Sequence, residues 1–124
     1  MSALAKVPIL LNAGQDFVMV VPLYNDDPQS ETFDATDFTE GTIWVKEYAT
    51  DAAYLVENDV DSGHVTINTS TSKASFRLTE ANIRTIEAAT TQAVYEFEIR
   101  NPTTNRAYRL VEGPARISAG LKNA

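Results

Sequence analysis

Apolar and polar positions alternate with period two over much of the chain, most clearly between Val94 and Glu112. Tyr95, Phe97 and Ile99 interleave with Glu96, Glu98 and Arg100, the pattern of a strand with one buried face. The return segment carries Tyr108 and Leu110 on one face and Ala107, Arg109 and Val111 on the other. The two apolar sets must share a face, since a slip of one residue would turn one set to solvent. The tightest pairing that meets this condition sets Arg100 opposite Asn105. Asn101-Pro102-Thr103-Thr104 is then the loop, with Pro102 at the second position of a type I turn, where its fixed φ fits. Tyr95 faces Leu110, Phe97 faces Tyr108, Glu96 faces Arg109, and Val94 meets Val111 on the outer face.

Upstream, the same reading gives strands over Val7–Leu11, Asp16–Tyr24, Gly41–Tyr48, Ala53–Glu57, His64–Asn68 and Ala74–Leu78. Turn signals at Asn12–Gln15 and Asn58–Gly63 and the polar connector Thr69–Ser72 separate several of them. Asn25–Glu40 reads as a long polar loop with six acids and no base. Pro8 and Pro22 place their strands at sheet edges. An exit strand follows around Ala115–Ile117, and residues 120–124 read as frayed. Between strands, Thr79 is a good N-cap and Leu78 can staple onto Ile83, so a short helix should run to Ala88–Ala89. Asn82 stands where a full capping box carries Glu or Gln, so the expected cap is partial. About nine short strands and one helical turn predict an all-β antiparallel sandwich, one domain over residues 1–124 with its core at about 5–118.

The Asp16–Tyr24 segment departs from simple alternation. Phe17, Met19, Val21 and Leu23 make one apolar face, and Val18, Val20 and Tyr24 make the other apolar as well. A strand of an open sandwich keeps a wet face, and an apolar edge strand invites pairing unless something covers it. The cover is either the chain itself or another subunit. Val7, Ile9, Val18, Val20, Pro22 and Tyr24 are therefore the candidate assembly interface.

Charge and composition narrow the function. The net charge of −7 argues against nucleic acid or an anionic membrane surface as partner. Twelve acids and two bases precede Gly63, while five acids and eight bases follow from it. The asymmetry either builds complementary docking faces or is mixed in space by interleaved strands. There is no cysteine, so no disulfide and no thiolate chemistry. No run approaches the ~20 apolar residues that span a bilayer, and the N-terminus lacks the pattern of a signal peptide.

Candidate chemistry is sparse. His64 follows Asp61-Ser62-Gly63 at a turn, with no partner that the sequence can supply. The acids at Asp26-Asp27, Asp34–Asp37 and Asp59–Asp61 do not have the spacing of a calcium-binding loop. No nucleophile elbow or phosphate-binding glycine loop is present. Trp44 and Tyr48, on one face of a strand, could stack a sugar ring or pack in a core. Neither an enzyme nor a cofactor is expected.

The order of elements carries a resemblance. Gly14-Gln15-Asp16-Phe17 enters a strand, and Asp37-Phe38-Thr39-Glu40-Gly41 precedes another. A strand then runs into Leu78-Thr79-Glu80-Ala81-Asn82-Ile83. Val94–Ile99 follows with an Asn-Pro turn, a return strand, Glu112-Gly113 and a closing strand. This resembles the Ig-like β-sandwich at the N-terminus of phage upper baseplate proteins and related small virion proteins, over about residues 5–118. The long acidic loop and Asn82, in place of the usual acid, depart from that pattern. The chain also ends at Ala124 with no following fibre region, which reads as a stand-alone module. The resemblance implies a virion structural component assembled in the host cytoplasm as a homo-oligomer with tail, baseplate or fibre proteins. Two alternatives are a carbohydrate-binding adhesion domain built on Trp44 and Tyr48, and an acidic DNA-mimic inhibitor of a host enzyme.

Overall fold

In the computed structural model the described residues are 5–23 and 37–118. They form β1 (Ala5–Lys6), β2 (Ile9–Asn12), β3 (Phe17–Pro22), β4 (Glu40–Lys46), β5 (Val56–Asp59), β6 (Val65–Asn68), β7 (Lys73–Leu78), α1 (Glu80–Ala89), β8 (Gln92–Asn101) and β9 (Arg106–Ser118). One sheet has the order β1-β9-β8-β4-β5, with β2 also paired to β9, and the other has the order β3-β7-β6. This is the all-β sandwich that the sequence predicts. Most of the Asn25–Glu40 loop, Tyr24 and the C-terminal residues expected to fray lie outside the described residues.

The two sheets meet over alternating apolar positions. Phe76 of β7 lies at their centre, its ring 5.0 Å from that of Phe97, 6.0 Å from Tyr95 and 6.1 Å from Phe17. Leu11, Ile43, Val45 and Ile99 from the larger sheet and Leu78 from the smaller are fully buried beside it. Ile83 and Ile86 of α1 are buried as well.

Not every pairing is antiparallel. β1 and β2 run parallel to β9, in one constant register from Ala5↔Val111 to Asn12↔Ser118. The expected Val7–Leu11 strand is split at Val7–Pro8. The exit strand is not separate either, because β9 continues from the hairpin to Ser118. β4 ends at Lys46, two residues before Tyr48, and β5 extends through Asn58 and Asp59, which the sequence had assigned to a turn.

The hairpin keeps the expected parity but slides by two residues. Asn101 pairs with Arg106, and Ile99, not Phe97, faces Tyr108. The cause is the loop chemistry. Asn101 Oδ1 accepts from the N–H groups of Thr103 and Thr104 at 2.9 and 3.3 Å, and Asn105 sits at φ 58°, a conformation asparagine tolerates. A bulge between Phe97 and Glu98 then shifts the register by one more residue. Leu110 and Val111 are both buried as a result, and Val111 faces Phe97. Val94 faces Pro114 and Tyr95 faces Gly113, which replaces the expected outer-face contact of Val94 with Val111 and the pairing of Tyr95 with Leu110.

The helix cap is complete rather than partial. Asn82 N–H donates to Thr79 Oγ1 at 3.1 Å, and Thr79 N–H donates back to Asn82 Oδ1 at 2.9 Å. The shorter amide closes the box because Asn58 Nδ2, in β5, holds Asn82 Oδ1 at 2.8 Å and also donates to Arg77 C=O.

Candidate functional site

β3 is an edge strand, with β7 on one side and no strand on the other among the described residues. Phe17, Met19 and Val21 turn inward and pack on the core. Val18 and Val20 turn outward and are 59% and 56% exposed. Pro22, also exposed, ends the strand opposite Lys73. Asp16 anchors the start of the strand. Its carboxylate takes the Arg77 guanidinium in an ion pair and accepts from Glu80 N–H at 2.8 Å, at the N-terminus of α1. The Arg77 hydrogen bond, then the Glu80 N–H, hold the Asp16 carboxyl below its ordinary value. An acid of the first half thus pairs with a base of the second.

The N-terminal strand makes a different use of its apolar residues. Ile9 is buried in the chain's own core, so it is not available to a neighbour. Val7 is half-buried and its backbone is fully engaged: its N–H donates to Glu112 C=O at 2.9 Å. In the parallel register the return bond to Val7 C=O falls to Pro114, which has no N–H. The Tyr95 hydroxyl supplies the missing donor at 2.6 Å. Gly113 makes room for this crossing, since a Cβ there would lie 2.5 Å from Val7 O. Burial pushes the Tyr95 phenol up to about 12. Of the six candidate interface residues, β3 therefore presents Val18, Val20 and Pro22 together, whereas Val7 and Ile9 serve the fold.

The outer face of the larger sheet holds the other group of note. Trp44 does not act with Tyr48, which is 63% exposed in the turn after β4. Its ring partner is Tyr54, stacked at 5.8 Å and 29°. Trp44 Nε1 donates to Glu57 Oε2 at 2.6 Å, and Lys46 Nζ lies 5.0 Å above the Tyr54 ring. Nearby, Glu98 is raised by desolvation, with Arg100 acting against that.

His64 and Asp59 are tied into turn structure, whereas Asp26, Asp27 and Asp34 lie outside the described residues. His64 Nδ1 lies 3.1 Å from Ser62 Oγ, but that hydroxyl donates to Asp59 C=O at 2.8 Å. The same hydroxyl accepts from Asp59 N–H at 3.1 Å, so Ser62 and His64 are held together in the turn after β5. Asp59 Oδ1 accepts from Ser62 N–H at 2.8 Å, closing the same turn. Among the described residues no group of three His, Cys, Asp or Glu side chains is placed to hold a metal ion.

No family model and no curated protein matches the chain. Among solved structures it is similar to the NK cell receptor Nkp44, described as a triggering partner in natural cytotoxicity. The TM-score is 0.53 over 93% of this chain and 98% of that one, at 12% sequence identity. The chain has an Ig-like β-sandwich fold. At that identity the likeness carries the fold and no function.

Proposed function

We propose that this Ig-like chain is a structural component of a bacteriophage particle, a tail, baseplate or fibre-attachment module that works by protein–protein assembly. It forms a homo-oligomer and contacts other virion proteins, and it reaches the particle after assembly in the host cytoplasm. The order of turn, strand and helix motifs along residues 5–118 supports the reading. The observation that carries it is β3, where Val18 and Val20 stand exposed on an edge strand that pairs with β7 on one side and has no strand on the other among the described residues. Such an edge is an aggregation hazard in a free monomer and a docking strip in an assembly. A stable interface buries ~1,200 Å² or more, so the contact extends past the two valines over Pro22 and the outer side of β7.

The test is the composition of purified particles. Density-banded phage from a culture carrying the gene is analysed by quantitative mass spectrometry. The chain is expected in the band at a fixed ratio to the major tail protein. Its presence in the lysate and absence from the band would refute the proposal.

A further inference from the structure

We propose that the groove on the outer face of the larger sheet binds an acidic saccharide, with a pyranose ring on Trp44 and its carboxylate between Lys6 and Lys46. The site is separate from the β3 edge, which belongs to the other sheet, and the inference does not depend on the proposed assembly. Strand register builds the groove from two rows. Lys46 faces Val94, which faces Pro114; Trp44 faces Glu96, which faces Glu112, which faces Lys6. The volume is about 360 Å³, inside the roughly 300–1,000 Å³ range of small-molecule pockets.

The chemistry of the ligand follows from what each row offers. The indole is held in place by Tyr54 behind it and by its own Nε1 bond to Glu57. A preset aromatic face beside Val94 and Pro114 suits the C–H face of a sugar ring, at low ordering cost. Arg109 holds the Oε2 atoms of Glu96 and Glu112 at 3.2 and 4.0 Å. Each carboxylate keeps lone pairs that can accept from hydroxyl groups. Lys6 and Lys46 have no ion pair among the described residues; Lys46 Nζ rests 5.0 Å over the Tyr54 ring, a contact that supplies no counter-ion. An aromatic acid would desolvate the two glutamates without giving them donors, which is unfavourable. A neutral sugar would leave both ammonium groups without a counter-charge. A sugar with both hydroxyls and a carboxylate satisfies every group, and it binds here against a chain whose overall charge is −7.

Trp44 is the sole tryptophan, so its emission reports on this groove alone. The experiment titrates the chain with trigalacturonate and, separately, with maltotriose. A saturable change with trigalacturonate and none with maltotriose at equal concentration is expected. A Lys6→Ala/Lys46→Ala double variant, with its fold checked by circular dichroism, should bind trigalacturonate about tenfold more weakly or worse, as loss of charge-assisted hydrogen bonds implies. No saturable change in the wild type, an equal response to both sugars, or unchanged affinity in a folded double variant would each overturn the proposal.

Discussion

Replacing Tyr95 by Phe isolates one hydrogen bond on which the N-terminal strand depends. The ring is 3% exposed and packs on Phe76, and the substitution keeps that packing. It removes the donor that meets Val7 C=O at 2.6 Å, where Pro114 cannot substitute. A partly buried carbonyl without a partner costs roughly 1–3 kcal/mol. In a chain of this size each kcal/mol lowers Tm by roughly 3–5 °C. Urea unfolding at pH 7 should therefore show a lower midpoint at an unchanged slope. The pH dependence sharpens the test. Burial raises the phenol to about 12 in the folded state, against about 10 in the unfolded chain. The folded protein holds a proton that the unfolded chain releases, so this contribution is intact below about pH 10 and is lost as pH rises through about 12. The shift corresponds to roughly 3 kcal/mol. The stability gap between wild type and Tyr95→Phe should thus narrow or reverse between pH 10 and 12. A stability change below about 0.5 kcal/mol at pH 7, or parallel pH curves, would mean that the Tyr95 hydroxyl does not hold the N-terminal strand.

Three further outcomes are expected. Gly113→Ala places a Cβ 2.5 Å from the Val7 backbone oxygen, which cannot swing aside. It should cost roughly 1–3 kcal/mol by thermal melt and raise amide exchange in residues 5–12. Asn82→Ala removes the acceptor shared by Thr79 N–H and Asn58 Nδ2. It should cost roughly 1–2 kcal/mol in urea unfolding, while Asn82→Asp retains part of the cap. Asp16, whose carboxyl Arg77 and the Glu80 N–H depress below its ordinary value of 3.8, contributes stability that is present above that value. That stability is lost as pH falls through the lower folded value. The Tm difference between wild type and Asp16→Asn should therefore shrink as pH falls from 6 to 2.

The strand grammar was legible because each period-two run had one face to bury. That sufficed for the sandwich, the edge position of β3 and the extent of α1. What escaped was set by contacts between distant residues. The bulge opposite Phe97 could not be read from alternation, since it changes parity inside an otherwise regular strand. The Asn101 turn kept a four-residue loop but moved it one position along the chain, sliding the register by two, through side-chain bonds that a simple turn count ignores. Tyr54 replaced Tyr48 beside Trp44 because β4 stops at Lys46 and the chain doubles back. The crossing of Tyr95 over Gly113 to Val7 had a sequence signal in Pro8 and Pro114, two residues that cannot donate to a ladder. It becomes readable only once the parallel register is known. Ile9 failed as an interface residue for the same reason: pairing with β9 turns it into the core.

The measurement that bears most directly on assembly is the solution mass of the purified chain by light scattering, taken over a concentration series for wild type and Val18→Asp. A carboxylate on an outward position of β3 leaves the core untouched but cannot be buried in an interface at low cost. A defined oligomer, such as a trimer or hexamer, is expected for the wild type, and a monomer with an unchanged circular dichroism spectrum for the variant. A wild type that stays monomeric at every concentration, or a variant that assembles as the wild type does, would show that the Val18 face of β3 is not an assembly interface of this chain.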